Sequence, residues 1–501
     1  MKENIQPISG STSASGQFVE KKVLIRSGSI TFGEQIAGLI IQVASTSILA
    51  RILSPEDYGV MAMVAVVTAF ARLFTDLGLS SSTIQRKTLT QEQISTLYWI
   101  NVLIGGIVAL IVAACSPIVA WFYHRPELLG LTCLVSLNFL ISGFGSQQSA
   151  LLVRSMQFAR KAIANLSGLM VALLVSITLA LNGFGYWSLA IGSVCGSFTT
   201  VVLLNAVSGW RPSRPSRNTG IGSMLKFGSN VTAFDFCNYF ARNLDNIVIG
   251  RRWGTEVLGL YNRAYQLLLF PINNLRAPIN AVAFPALSRL QDQPQKYRLY
   301  FRRIVALLAF LSMPLTTMLF IGSGPLIELL LGREWKGVVP LFAILALPSF
   351  IQPSWSLLGV VMLSCGKSGR YFKFGAVNSI VVSAGFLIGV HWGAEGVAIS
   401  YACSTYLIIF PSLKWAFMGT PVSVSDFLSS IALPAMASLV AGSVTYVIMT
   451  FHRIENPLLC LIQIAVVFGL SFAMIYFGTR SGREWIRLCM ANGMLAFSPA
   501  K

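Results

Sequence analysis

The chain has little charge for its length. Only 11% of its 501 residues are Asp, Glu, Lys or Arg, whereas soluble domains carry about 25%. Hydrophobic residues make up 54% of the chain. Apolar runs of about 20 residues, the length of a membrane-spanning helix, recur along almost the whole sequence. This composition excludes a soluble globular protein and predicts an all-α polytopic membrane protein.

Residues for metal, redox and hydrolytic chemistry are also scarce. There are three histidines and eight cysteines, and no CxxC pair occurs. The cysteines fall among apolar residues, as small buried side chains do, so we expect no metal site, no cofactor and no disulfide framework. We find no hydrolase, zinc-protease or nucleotide-binding motif in a suitable context, and the predicted outer loops are short. A membrane glycan polymerase, which would be expected to need a larger external loop, is the disfavoured enzymatic alternative.

About fourteen spans fit into the chain, leaving room for little else. The predicted spans are 29–50, 58–79, 97–123, 128–150, 163–182, 185–207, 227–249, 258–285, 304–322, 338–364, 374–391, 395–413, 427–450 and 457–478. Prolines are expected to kink spans eight and ten (Pro271, Pro278, Pro348 and Pro353). The predicted domains are a flexible cytoplasmic tail (1–28), an N-lobe of six helices (29–207), a cytoplasmic linker (208–226), a C-lobe of six helices (227–413), two appended helices (427–478) and a cytoplasmic tail (479–501).

The net charge of +19 reflects membrane topology. With the N-terminus inside, 26 of the 37 Lys and Arg residues fall on the inner side and seven on the outer side, and the other four lie within spans. This asymmetry follows the positive-inside rule and places both termini of the multi-pass chain in the cytoplasm. We therefore expect contact with anionic membrane lipid and no nucleic-acid partner.

A short repeat links the two halves of the chain. Residues 50–59 align with residues 250–259, and Arg51, Glu56 and Gly59 match Arg251, Glu256 and Gly259. Each copy joins an odd span to the next even span. A shift of six helices preserves the membrane orientation, so we predict two pseudo-symmetric six-helix lobes related by a parallel repeat around a central cleft, with two peripheral C-terminal helices.

Eight charged side chains lie inside predicted spans, where each costs roughly 2.5–3.5 kcal/mol if it faces lipid. They occur on spans one, two, seven and eight: Glu34, Arg72, Asp76, Asp235, Arg242, Asp245, Arg263 and Arg276. Polar residues such as Asn238, Gln266 and Asn273 continue the same helical faces at steps of three, four and seven. We therefore expect these faces to line a polar transport path.

Two roles are open for these charges. Guanidinium groups pair with phosphate, so the four arginines could bind an anionic substrate together with Asn238, Gln266 and Asn273. The four acids, Glu34, Asp76, Asp235 and Asp245, could bind a coupling cation. Alternatively, the four acids and four arginines could simply neutralise one another, as Arg72 and Asp76 could do within one helix.

Several segments resemble Wzx-type polysaccharide flippases, and most closely the colanic-acid exporter subgroup of the multidrug/oligosaccharidyl-lipid/polysaccharide exporter superfamily. The segments that carry the resemblance are Gln42 to Met63, Phe74 to Lys87, Thr96 to Val102, Asn243 to Leu267 and Phe284 to Gln291. The long polar N-terminal tail departs from that family's pattern.

The resemblance implies a function. It implies movement of an undecaprenyl-diphosphate-linked oligosaccharide repeat unit from the cytoplasmic to the outer leaflet of the bacterial inner membrane by alternating access, for lipopolysaccharide or exopolysaccharide synthesis. It also implies a polysaccharide polymerase and a chain-length regulator as partners. By position along the helices, the family's cleft arginines and acids are matched by Arg242, Arg263, Arg276, Asp235 and Asp245. The alternatives are a lipid-II-type flippase and a drug/cation antiporter of the same superfamily, although an antiporter would be expected to have an acid-dominated cavity.

Overall fold

The computed structural model describes residues 14–72, 74–75, 83, 89–215, 222–452, 454–480 and 482–484, with the side chains in these ranges except those of 14–29, 222–242 and 281. Throughout these ranges the chain forms helices, turns and bends, with no strand. Numbered in chain order, the α-helices are α1 (Ala14–Ala50), α2 (Pro55–Arg72), α3 (Gln91–Ala114), α4 (Ser116–Tyr123), α5 (Glu127–Arg154), α6 (Phe158–Leu181), α7 (Tyr186–Ser208), α8 (Gly222–Arg289), α9 (Pro294–Ile321), α10 (Ser323–Leu330), α11 (Val338–Ser349), α12 (Gln352–Trp355), α13 (Leu357–Ser364), α14 (Ser368–Gly389), α15 (Gly393–Phe417), α16 (Val424–Phe451) and α17 (Pro457–Gly478).

Ten helical segments of the described chain are long and apolar enough to cross a membrane. They contain eleven of the predicted spans, because the segment Ser368–Phe417 includes both α14 and α15. Within the described residues, predicted spans two, seven and eight are not among these ten segments. The helix of span two, α2, has three charged residues among its 18, and spans seven and eight contain most of the predicted intramembrane charges. The chain is a multi-pass, all-helical membrane protein.

Several helix boundaries differ from the predicted spans. Helix α1 begins at Ala14, inside the predicted tail. Span ten is divided into α11, α12 and α13, as its prolines predict. Pro271 and Pro278 lie inside α8, and the kinks expected at them stay a prediction. The non-helical backbone angles of α8 occur at Gly254 (φ 82°, ψ −170°), between predicted spans seven and eight. A positive φ of this size is accessible to glycine without strain.

The chain divides into two compact units, Met1–Asn243 and Leu244–Lys501. In the first unit α3 packs on α5, α5 on α7 and α6 on α7. In the second, the helices of the corresponding predicted spans pack in the same order: α9 on α11, α11 on α15 and α14 on α15. The internal packing of both units therefore follows the predicted repeat, whereas the predicted domain limits at 207 and 227 stay a prediction.

Each unit contains a helix hairpin that depends on glycine. Between α6 and α7, a Cβ added at Gly196 would lie 2.7 Å from the carbonyl oxygen of Gly168. Between α14 and α15, a Cβ at Gly389 would meet the carbonyl of Gly396 in the same way. Small residues let helix backbones approach closely, which stabilises helix pairs in membranes where no hydrophobic driving force holds them together.

The repeated sequence marks the point where each unit reverses direction. In the first unit, residues 51–54 form the turn between α1 and α2. The Ser54 hydroxyl accepts the Asp57 N–H at 3.2 Å, and Asp57 Oδ2 accepts the Ser54 N–H at 2.9 Å, so α2 starts with a reciprocal cap. In the second unit the reversal occurs at Gly254, where Trp253 donates its indole N–H to the Val390 carbonyl at 2.6 Å. The repeat is thus a turn motif in both copies.

Candidate transport site

The predicted site residues fall into two groups. Four of them, Asp76, Asp235, Asn238 and Arg242, lie outside the described side chains, so their roles stay predictions. The structure describes the remaining ones in the two units separately: Glu34, Arg72, Asp245, Arg263, Gln266, Asn273 and Arg276.

Asp245 is the most deeply buried of the described intramembrane charges, with 2% of its surface exposed. Its Oδ2 accepts the Tyr261 hydroxyl at 3.0 Å, and its Oδ1 accepts the Asn246 N–H at 2.8 Å. Asn262 donates to the Asn246 side chain at 3.3 Å. Residues sixteen apart on a straight helix would be separated by about 24 Å. The two parts of α8 therefore fold back on each other at Gly254, which brings the acid of span seven against span eight.

Two further tyrosines extend this polar cluster within the second unit. The rings of Tyr261 and Tyr265 are stacked with centroids 6.2 Å apart. Tyr265 is a hydrogen-bond partner of Tyr401 on α15, which also accepts a hydrogen bond from the Gln352 amide on α12. Arg276 is close enough to Tyr401 to interact with it electrostatically. A buried acid, three phenolic hydroxyls and an arginine on α8 and α15 are thus connected, and Gln352 joins them from α12.

The two described arginines of span eight are each positioned by an amide on the same helix. Arg263 donates to Gln266 Oε1 at 3.2 Å, and Arg276 donates to Asn273 Oδ1, also at 3.2 Å. Both arginines are half-buried, while Gln266 and Asn273 are exposed. The predicted stripe of span eight therefore contains two arginine–amide pairs, and its role in transport stays a prediction. Such pairs orient guanidinium groups, and guanidinium binds phosphate through paired hydrogen bonds.

In the first unit, the intramembrane acid Glu34 is hydrogen-bonded to a residue of a different helix. Glu34 on α1 is half-buried and accepts a hydrogen bond from the Asn165 amide of α6 at 2.8 Å. One turn further along α1, Gly38 lies against Leu166 and Leu169 of α6. This part of the stripe therefore contacts α6 within the first unit. Arg72, the last residue of α2, is exposed.

Reasoning from charge alone missed the uncharged partners. It did not identify Tyr261, Tyr265, Tyr401 or Gln352, which complete the cluster around Asp245. It also missed Asn165, the partner of Glu34. Spacing offers one signal: Tyr261 and Tyr265 are four residues apart, so they share a face of span eight. The other partners come from distant helices and have no local signature.

Comparison with known proteins relates the chain to polysaccharide biosynthesis. The model of the family described as "Polysaccharide biosynthesis protein" matches residues 48–340. Among curated relatives, the "Lipopolysaccharide biosynthesis protein WzxC" of Escherichia coli (strain K12) is 27% identical over 410 residues, which cover 80% of this chain and 82% of the relative. Its name connects that relative with lipopolysaccharide synthesis.

Two solved structures share the fold. The "Lipid II flippase MurJ, inward closed conformation" superposes with a TM-score of 0.73 at 14% identity, covering 92% of this chain and all of the other. An inward-facing "multidrug resistance MATE family transporter of the MOP superfamily" gives a TM-score of 0.60, also at 14% identity, covering 76% of this chain and 94% of the other. At this identity the likeness concerns the fold alone.

Proposed function

The chain belongs to the polysaccharide biosynthesis protein family, and from this premise we propose that it moves an undecaprenyl-diphosphate-linked oligosaccharide repeat unit from the cytoplasmic to the outer leaflet of the bacterial inner membrane. Movement is by alternating access of a cleft lined by spans one, two, seven and eight. The repeat unit then serves lipopolysaccharide or exopolysaccharide synthesis, with a polysaccharide polymerase and a chain-length regulator as partners. The protein is a transporter rather than an enzyme.

The arginine–amide pairs of α8 are the observation that carries this proposal. A diphosphate must be neutralised to cross the membrane, while its polyprenyl tail can remain in lipid. Arg263 and Arg276 present guanidinium groups held by Gln266 and Asn273, and guanidinium binds phosphate through paired hydrogen bonds. Arg72, Arg242 and Asn238 are proposed to contribute to the same substrate site.

The acids are assigned to energy coupling. Asp245 is buried and its described hydrogen bonds come from Tyr261 and the Asn246 N–H. A carboxylate held by neutral donors can take up a cation or a proton without first breaking an ion pair. We assign Asp245 this role, with Asp235, Asp76 and Glu34 as further coupling or charge-pairing groups.

The test is flipping of a defined undecaprenyl-diphosphate-linked oligosaccharide by the purified chain in proteoliposomes. Arg263→Ala and Arg276→Ala should each lower the initial rate by roughly 10- to 100-fold, because hydrogen bonds to charged groups contribute about 1.5–3 kcal/mol. Lysine at either position should restore part of the rate, since it keeps the charge but loses the planar fork. Arg289→Ala, at the exposed end of the same helix, is the matched control and should transport normally.

Substrate competition separates the two related functions that the fold allows. Lipid II and a cationic drug are added to the same vesicles. Selective flipping of the oligosaccharide lipid supports the proposal. Preferential flipping of lipid II would make the chain a lipid-II-type flippase, and cation-driven drug uptake would make it an antiporter. Either outcome overturns the assigned substrate, as do alanine variants with unchanged rates.

We further propose that both termini lie in the cytoplasm, on the basis of the 26-to-7 distribution of Lys and Arg. Single cysteines at the exposed positions Asn182 and Gln295 test this orientation in intact cells. An impermeant thiol reagent applied outside should label Asn182→Cys and not Gln295→Cys. Labelling in the reverse pattern would invert the orientation and the direction of transport.

A further inference from the structure

The first unit contains a hydroxyl-lined groove that the proposed transport path does not use. It has a volume of about 470 Å³ and lies among α5, α6 and α7. Ser142, Ser146 and Ser149 line it from one face of α5, and Ser197 and Thr200 line it from α7. A groove of this size, bordered by hydroxyls at membrane depth, can accept a polar group larger than a water molecule.

Two of these hydroxyls are available to a ligand. Ser142, Ser146 and Thr200 donate to carbonyls of their own helices at 2.9, 2.9 and 3.0 Å, as serine and threonine commonly do in membrane helices. Within the described residues, the hydroxyls of Ser149 and Ser197 make no hydrogen bond. They lie on opposite helices of the same groove and can donate to one bound group.

Lys161 supplies a positive charge to the groove. It lies in the first turns of α6 and lines the groove with the serines. Its neighbours are held by protein oxygens: Arg154 donates to the Thr83 carbonyl at 2.7 Å, and Arg160 donates to Gln157 and to the Val207 carbonyl at 2.8 and 3.3 Å. In the described part of the chain, the Lys161 amine has neither a hydrogen bond nor an ion pair.

We propose that this groove binds the phosphodiester headgroup of an anionic phospholipid in the same leaflet as Lys161. One lysine matches the single charge of a phosphodiester better than the greater charge of a diphosphate, and the Ser149 and Ser197 hydroxyls donate to its oxygens. Phe144, Phe198 and Val202, on the two flanking helices, are exposed and offer apolar surface to the acyl chains. The groove is thus a lipid site separate from the arginines of α8.

Native mass spectrometry of the full chain, titrated with phosphatidylglycerol or phosphatidylcholine, tests the proposal without requiring transport. The wild-type chain should retain phosphatidylglycerol preferentially. Lys161→Gln should weaken its retention by about tenfold, because a charge-assisted hydrogen bond is lost, and Lys161→Arg should keep most of it. Lys373→Gln, an exposed lysine near the start of α14 in the second unit, is the matched control and should bind like the wild type.

Each of the other possible results of this experiment would support or overturn the proposed phospholipid site. An equal loss in Lys161→Gln and Lys373→Gln would mean general surface attraction and would overturn the site. Displacement of phosphatidylglycerol by undecaprenyl diphosphate, dependent on Lys161, would overturn the choice of ligand. If Lys161→Gln does not fold, the paired change Ser149→Val with Ser197→Val keeps the charge and should still weaken retention severalfold; unchanged retention in that variant would overturn the proposal. Because none of these measurements involves flipping, a failure of the proposed transport function would not affect them.

Discussion

The helices of the two units pack in the same order, but the intramembrane acids of the two units differ in burial and in their hydrogen-bond donors. In the second unit Asp245 is buried, and a tyrosine from the other part of the same folded-back helix donates to it. In the first unit Glu34 is half-buried and is held by an amide from a different helix, α6. The two units therefore share a helix arrangement, while the environments of their acidic side chains differ.

The residues around these two acids also differ in polarity. Asp245 belongs to a cluster that continues through Tyr265 and Tyr401 towards Arg276, whereas Glu34 has the apolar side chains of Leu166 and Leu169 one turn away, against Gly38. Buried polar networks respond strongly to loss of one member, because the remaining groups stay desolvated. We infer that Asp245 contributes more to coupling than Glu34 does, and that Glu34 also holds α1 against α6 through Asn165.

The largest expected effect is on the flipping rate, and it compares the two acids directly. Asp245→Asn should lower the flipping rate by on the order of 100-fold, equivalent to about 2.7 kcal/mol, because the variant keeps the size of the side chain and removes its charge. Glu34→Gln should lower the rate by no more than about tenfold, or about 1.4 kcal/mol, since the amide oxygen can still accept from Asn165. Initial rates in proteoliposomes, at matched protein content, provide the measurement. A greater loss for Glu34→Gln would reverse the comparison.

A second prediction concerns stability. Tyr261→Phe removes one donor from a buried carboxylate, which should destabilise the protein by about 1–3 kcal/mol. Thermal unfolding in detergent should show a lower midpoint than for Tyr446→Phe, a control tyrosine on α16 that is 61% exposed. In an Asp245→Asn background the same substitution should cost less, because the two residues are coupled. Additive effects in the double variant would show that the hydrogen bond contributes nothing.

The sequence predicted the helical fold well because hydropathy is a local property. Residues 304–322 of α9, 427–450 of α16 and 457–478 of α17 contain no charged side chain, so these spans follow from the length of the apolar run alone. The repeat at residues 50–59 and 250–259 correctly located two turns. The non-helical residue Gly254 lies between predicted spans seven and eight, where the repeat predicted a connection, whereas the proline kinks expected in span eight stay a prediction.

The site was predicted only in part, because its contacts are not local. The pairs Arg263–Gln266 and Arg276–Asn273 are three residues apart, so helical periodicity brings them together. The Glu34–Asn165 contact joins residues 131 positions apart, and Asp245 meets Tyr261 only because the chain reverses between them. Their partners are also uncharged, so a search for charges in apolar helices could not find them.

The smallest expected effects come from α16 and α17, the two helices of the second unit that follow the predicted repeat. Both helices should flank the transport path rather than line it. Leu439 is 58% exposed, whereas Ile464 is 2% exposed. Leu439→Val should therefore leave stability almost unchanged, and Ile464→Val should cost about 0.5–1.5 kcal/mol, as the removal of one buried methylene group does. Both variants should flip substrate at the wild-type rate in proteoliposomes. A transport defect in either one, at normal thermal stability, would place the appended helices in the path and would remove the distinction between the repeated core and its two additional helices.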